Sequence, residues 1–190
     1  MPQDRTLPRL GPTLETERLI LRPPRPEDFE GFVEFGADEA TMHHLGGVHP
    51  RTAAWRGMIA LAGAWAIQGF AMFSVIEKAS GRWIGRLGPW RPEGWPGAEV
   101  GWGLTSHAWG QGYAIEGATA AMDWAFDELG WLEVIHCIAP ENLPSQAVAA
   151  RLGSTLLRHG RLPPPQDAEL QIWGQSRDQW RARRVSAATR

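Results

Sequence analysis

The stretch Trp109-Gly110-Gln111-Gly112-Tyr113-Ala114 sets two glycines one residue apart directly ahead of an apolar, alanine-rich run, and that order limits what the chain can build there. Ile115, Ala118, Met122, Ala125, Phe126 and Leu129 recur at helical spacing up to Gly130, so the pattern predicts a long helix entered through glycine. A helix start presents unpaired backbone N–H groups and the positive end of the helix dipole, and glycines let a ligand reach them with no Cβ in the way. The motif therefore points to an anion, although a tight turn into the helix would also satisfy it. A P-loop is excluded, because no Gly-Lys-Ser/Thr is present. A dinucleotide fingerprint fails as well: the glycines fall at Gly110, Gly112 and Gly117, and the acidic Glu133 opens a strand where the fingerprint needs one closed.

The 190 residues suit one domain, predicted over residues 14–184 between a flexible leader, 1–13, and a tail, 185–190. A formal charge of −2 gives no basic field, so neither nucleic acid nor an anionic membrane surface is expected as a partner. The opening residues carry prolines and charges where a secretory apolar region would stand. No signal peptide is expected, and the cytoplasm is the expected location. The most apolar window, Gly57 to Phe73, is broken at Gln68-Gly69 and falls short of the ~20 residues a spanning helix needs. The one cysteine, Cys137, lies in the apolar run 134–138 and reads as a buried, inert thiol.

Strands are predicted near residues 16–22, 70–77, 83–89, 98–104, 133–138, 154–157 and 169–173. Helices are predicted from Pro26 to Gly36, from Arg51 to Ile67, after Gly112, and from Asn142 to Leu152. Such an order describes an α/β (α+β) domain with a mixed sheet and helices on both faces.

Four motifs in order carry a resemblance. They are Ala98 to Leu104 (AEVGWGL), Trp109 to Ala114 with Glu116, Asn142-Leu143-Pro144-Ser145, and Leu152-Gly153; the opening Glu15 to Arg22, Gly81 to Gly88 and Trp180 extend it. Together they resemble the GCN5-related N-acetyltransferases, in the branch similar to ribosomal-protein-alanine N-acetyltransferases. The resemblance implies a mostly antiparallel sheet in which two parallel strands, 98–104 and 133–138, splay apart as an acetyl-CoA cleft. It implies that pyrophosphate sits on the backbone N–H groups of Gln111, Gly112, Tyr113 and Ala114, next to Trp109 and Gly110. It implies that the pantetheine arm pairs with the backbone of Trp102, Gly103 and Leu104. Trp109 stands where the family has Gln or Arg, a departure that touches a side-chain contact and not the backbone cradle.

Acetyl transfer to an amine needs a neutral nucleophile, so a base is expected near the thioester. Glu99 is the candidate: it shares a strand face with Gly101 and Gly103, whose missing side chains leave room beside it. A carboxylate paired with an arginine, or solvated, is the alternative. The only tyrosine, Tyr113, lies in the cradle, which leaves Ser145, or a water it holds, to hydrogen-bond the departing thiol. Asn142 would bind a pantetheine amide or cap its helix. Backbone N–H groups around Leu104 would polarise the carbonyl. Trp90 and Trp95 would line the acceptor pocket or pack in the core, and His43 and His44 read as solvated loop histidines, or as a loop wall of that pocket, rather than as a metal site. The expected activity is transfer from acetyl-CoA to a primary amine, on a small molecule or a protein N-terminus, by direct attack in a ternary complex. Neither a metal nor a further cofactor is expected, and homodimerisation is consistent with the resemblance. An inactive acyl-CoA-binding module is the competing reading, and a nicotinamide oxidoreductase a weaker one.

Overall fold

A computed structural model describes residues 10–188 of the chain; the leader expected over 1–13 lies outside the described residues up to position 9. Strands β1 (Leu14–Glu15), β2 (Leu19–Arg22), β3 (Phe73–Glu77), β4 (Trp83–Trp90), β5 (Glu99–Leu104), β6 (Glu133–Ile138), β7 (Thr155–Arg161) and β8 (Glu169–Ser176) make one sheet. Their order is β1-β2-β3-β4-β5-β6-β8-β7. Every neighbouring pair is antiparallel except β5 and β6. The predicted mixed sheet with a parallel pair is thus what the chain forms.

Helices cover both faces. The long helix α4 (Tyr113–Asp127) buries Ala118, Ala121, Met122, Ala125 and Phe126 against the sheet. Small residues let it approach closely: a Cβ on Gly117 would stand 2.5 Å from a methyl of Leu87 in β4, so any side chain there would lever the helix off the sheet. On the opposite face α1 (Phe29–Ala37) sets Phe32 and Phe35 against Trp83, with ring centroids 4.7 and 5.8 Å apart. Its entry is fixed by Arg22, whose two terminal nitrogens each meet an Asp28 oxygen at 2.8 Å, while Ser74 donates to the same carboxylate at 2.7 Å. A buried pair of this kind is held by its hydrogen bonds, and removing either partner would strand a charge. Two more helices, α2 (Glu39–Met42) and α3 (Arg51–Gln68), complete that end, and Trp65 of α3 stacks on Phe73 at 5.0 Å.

Three expectations are corrected. The single strand expected over 16–22 is a hairpin of β1 and β2, because Thr16 turns the chain: its N–H donates to Leu19 C=O, and its hydroxyl oxygen accepts from Leu19 N–H, both at 3.0 Å. The strand expected from Phe70 begins only at Phe73, since the carbonyl of Met72 is taken by the indole N–H of Trp65 at 3.2 Å. After β8 the chain does not end in extended segments but forms a helix, α6 (Arg177–Ala188). Only Trp180 and Val185 among its residues are large and apolar, so its periodicity is faint. A reciprocal cap still marks its start: Ser176 N–H donates to Gln179 Oε1 at 2.8 Å, and Gln179 N–H donates to Ser176 Oγ at 3.2 Å. Buried Trp180 anchors it by donating to Asp123 at 2.7 Å.

Candidate active site

The sheet opens between β5 and β6. One pair of residues, Glu99 and Ile135, holds the two strands in register, with Ile135 N–H donating to Ala98 C=O at 2.9 Å. Parallel geometry makes Cys137 N–H and Val100 C=O the next rung. That rung is not formed. Instead the carboxyl of Glu99 accepts from Cys137 N–H at 3.0 Å, and His136 Nδ1 lies 2.6 Å from the carbonyl oxygen of Val100. Two side chains thus replace the broken rung, so both backbone groups are satisfied although the strands diverge.

His136 can serve only as a neutral ring. Val100 offers an acceptor, so Nδ1 carries the proton; Nε2 then accepts from the Ser154 hydroxyl at 2.9 Å, whose oxygen accepts from Gln175 at 2.8 Å. Complete burial lowers its pKa to about 4 against the pull of the Val100 hydrogen bond. Trp102 lies over this imidazole at 4.8 Å between centroids and donates its indole N–H to Ser145 Oγ at 3.3 Å, which spans the gap from β5 to α5 (Leu143–Leu152).

Glu99 faces the other way. Its side chain is 5% exposed and also accepts from the Trp95 indole at 2.5 Å. Burial pushes its pKa up to about 7, while the Cys137 amide, the Trp95 N–H and the Arg86 charge restrain the rise. Of the two alternatives read from the sequence, solvation is ruled out, and no arginine lies within ion-pair distance of it among the described residues. A carboxyl balanced near neutrality with lone pairs to spare can take a proton from a neighbouring amine. Burial and the adjacent Glu99 keep the Cys137 thiol protonated well above its ordinary range, so it is no nucleophile.

A cavity of about 770 Å³ passes through the gap. Trp102, Asn142 and Ser145 line it from the α5 side, and Arg86, Trp90, Trp95 and Glu99 from the other. His44 borders it too, as do the turn 162–168 between β7 and β8 and the start of β8 at Glu169 and Leu170. Asn142 is the cap of α5: its Oδ1 accepts from Ser145 N–H at 3.1 Å, which leaves its amide N–H groups to donate elsewhere. Beyond Val100, the β6-facing edge of β5 at Trp102 and Leu104 pairs with no strand among the described residues, while Gly103 between them turns its N–H and C=O toward β4.

The glycine motif lies outside the cavity lining, at the start of α4. Gly112 is its cap at φ +80°, a left-handed turn that a side chain would strain. The first helical bond runs from Glu116 N–H to Gly112 C=O at 3.1 Å, and among the described residues the amides of Gln111, Gly112, Tyr113 and Ala114 donate to no protein acceptor. Four free amides at a helix start fit a phosphate group. Tyr113 points its hydroxyl into Glu77 at 2.5 Å and is not free to act on a thiol. Trp109, half exposed, donates its indole N–H to Leu104 C=O at 2.8 Å and so ties the glycine loop to the end of β5.

Residues 18–155 match the family model for the acetyltransferase (GNAT) domain. The chain belongs to the GNAT acetyltransferases. It is 31% identical over 137 residues to p20 of Bacillus licheniformis, an uncharacterized N-acetyltransferase, covering 70% of this chain and 76% of that protein. Over 97 residues it is 35% identical to the FsC-acetyl coenzyme A-N(2)-transacetylase of Aspergillus fumigatus, covering 48% of this chain and 41% of that one. Among solved structures, an acetyltransferase of Agrobacterium tumefaciens superposes with a TM-score of 0.76 at 32% identity, covering 87% of this chain and 95% of that one. A ribosomal-protein-S5-alanine acetyltransferase of Vibrio fischeri shares the fold at 17% identity with a TM-score of 0.65, covering 90% and 99%.

Several roles in this acetyltransferase's site were not read from the sequence, although Glu116 and Arg18 stand in the motifs that carry the resemblance. Arg18 and Glu116 clamp the glycine loop: the Arg18 guanidinium donates to Gln111 C=O at 2.9 Å and to Glu116 at 2.7 Å, and Thr16 and Arg18 N–H hold the same carboxylate. With the Gln111 carbonyl drawn inward, its neighbouring amides turn outward. The spacing Thr16-x-Arg18 gave no hint of a partner 98 residues away. His136 and Arg86 were also missed, since single polar residues in apolar strands carry no periodic signal.

Proposed function

We propose that this acetyltransferase moves an acetyl group from acetyl-CoA to a primary amine by direct attack, with both substrates bound at once. One observation carries the reading: a single cavity runs through the broken rung, so ligands on opposite faces of the sheet meet there. The free amides of Gln111 to Ala114 hold the pyrophosphate, and the open edge of β5 at Trp102 and Leu104 pairs with the pantetheine arm. Acetyl-CoA supplies the activated acyl carbon. Asn142, with its oxygen committed to the cap, donates its N–H to an amide carbonyl of that arm.

Glu99 accepts the proton that the amine loses as its nitrogen bonds to the acyl carbon. The indole N–H of Trp95 and the amide of Cys137 hold the carboxylate in place while leaving lone pairs for that proton. Ser145 Oγ already accepts from Trp102, so its own hydrogen is free to donate to the leaving sulfur. No covalent enzyme intermediate is formed.

The test is thiol release from acetyl-CoA with a panel of amines, read across pH. Below about pH 7 Glu99 is protonated and cannot act as base, so kcat/KM should fall on the acid side of that value. Glu99→Gln should lower kcat/KM by about 10³-fold and flatten the limb, with CoA affinity unchanged. An unchanged rate and profile would remove Glu99 as the base. Turnover absent with every amine, despite CoA binding, would favour an acyl-CoA-binding module.

A further inference from the structure

The acceptor side of the cavity contains a cation with no anion. Arg86 lines the cavity, yet no carboxylate of the described residues comes within ion-pair distance of it. Its Nη1 has a thioether for a partner, Met72 Sδ at 3.0 Å, and its guanidinium carbon lies 5.8 Å from the centre of the Phe35 ring. A thioether is a weak acceptor and a guanidinium carries five donors, so most of its hydrogen-bonding capacity is unused on the protein side. Burial lowers its pKa, while Glu99 acts on it from a distance. Carrying such a group into a cavity is unfavourable unless something completes it.

Strand register shows what else shares its face. Arg86 is opposite Gly103, Gly88 opposite Gly101, and Trp90 opposite Glu99. Directly opposed residues of antiparallel strands project to the same side. The acceptor face therefore has a cation at one end and the carboxyl of Glu99 at the other, about 13 Å apart along the backbone, at ~3.3 Å per residue over four residues. Between them the room is at Gly101: the Met72 methyl and Glu99 Oε1 lie 2.8 and 3.1 Å from where its Cβ would stand, so Glu99 and, through Met72, Arg86 reach toward the same spot, and the unbranched thioether is the side chain most easily moved aside.

We propose that the acceptor is a small aminocarboxylate, its amine presented to Glu99 and its carboxylate taken by Arg86 in place of the Met72 sulfur. The inference rests on the acetyl-transfer reading above. A planar guanidinium meets a carboxylate through two parallel N–H bonds, which fixes direction as well as affinity. An amine without the carboxylate leaves the cation as it stands in the free protein. A protein N-terminus lacks the nearby carboxylate unless its side chains provide one.

Matched triplets test it: a free amino acid, its carboxamide and its decarboxylated amine, each as acceptor for wild type, Arg86→Gln and Arg86→Lys, with CoA affinity measured by calorimetry. Wild type should favour the free acid by about 10²-fold in kcat/KM, mainly through KM. Arg86→Gln should remove that preference, lowering the acid about 10²-fold and leaving amide and amine within threefold. Arg86→Lys, which keeps the charge and loses the fork, should fall between. Equal use of acid and amide by the wild type overturns the proposal, and this arm needs no variant. So does an Arg86→Gln loss that is uniform across the triplet at unchanged CoA affinity, or a neutral N-terminal peptide outpacing every free acid. Wild type that binds CoA and acetylates no amine defeats the acetyl-transfer reading itself, and the acceptor with it.

Discussion

The two sides of the gap between β5 and β6 are built from different material. On the α4 and α5 side the ligand-facing groups are backbone amides, a cap side chain and an open strand edge; on the other they are the side chains of Arg86, Trp90, Trp95 and Glu99. Backbone recognition forces a pattern on the sequence, because amides are exposed only where glycine or a capping residue permits. Side-chain recognition forces none, since any residue that reaches the cavity from any strand will do. In the proposed reaction the first side holds the donor, and the second is where an acceptor would be chosen.

The comparison can be broken in order of effect. Gly112→Val places a branched side chain at φ +80° on the donor side and should weaken CoA binding by about 10²-fold, with acceptor preference unchanged among whatever turnover remains. Titration calorimetry reads the first and acceptor competition the second. A change in acceptor preference would mean that the sides are not separable.

The broken rung itself carries two opposite pH dependences. His136 has its pKa lowered to about 4, so the stability from its neutral form is present above its ordinary 6.5 and is lost as pH falls toward 4. Glu99 has its pKa raised to about 7, so its contribution is present below its ordinary 4.5 and is lost as pH rises through 7. Each amounts to about 2 kcal/mol between pH 7 and pH 5, at ~1.4 kcal/mol per pKa unit. Relative to wild type, Glu99→Gln should therefore lose that much over the fall from pH 7 to 5, and His136→Gln should gain it, as read from urea midpoints. Parallel slopes in the two variants would mean that the groups do not titrate independently of the fold.

Ser145→Ala removes the acceptor for Trp102 and, in the proposed reaction, the hydrogen bond to the leaving sulfur, and should lower kcat about tenfold. An unchanged kcat would assign the proton to water. The smallest effect should come from Trp95→Phe. It takes one donor from Glu99, which favours the protonated form, so the acid limb of kcat/KM should move to higher pH by less than about one unit.

Legibility in the sequence followed the same division. The strand 133–138, the helix after Gly112 and the cap at Asn142 were read in place because their residues act locally. The parallel pair and the splay followed from resemblance, but the way the splay is held did not. Glu99 capping Cys137, and His136 capping Val100, bridge strands more than 30 residues apart, and nothing local distinguishes such a histidine from a core histidine. The helix α6 was missed because one tryptophan anchors a polar segment, although Ser176 and Gln179 stood at capping-box spacing. Arg18 was visible as part of a strand and of the opening motif, yet its role depends on Glu116 across the fold.

The single β5–β6 pair also divides the sheet mechanically. Strands β1 to β5 form one plate and β6, β8 and β7 another, and between the plates the ladder has one stitch, at Glu99 and Ile135. The 162–168 turn rides on the second plate, whereas Glu99 and Arg86 ride on the first. Flexing of that seam would change the width of the passage, against the packing of Val134 of β6 with Leu87 and Val100 of the first plate in one core. The amide of Cys137, fastened to a side chain rather than to a strand, should then exchange with deuterium sooner than its neighbours in β6.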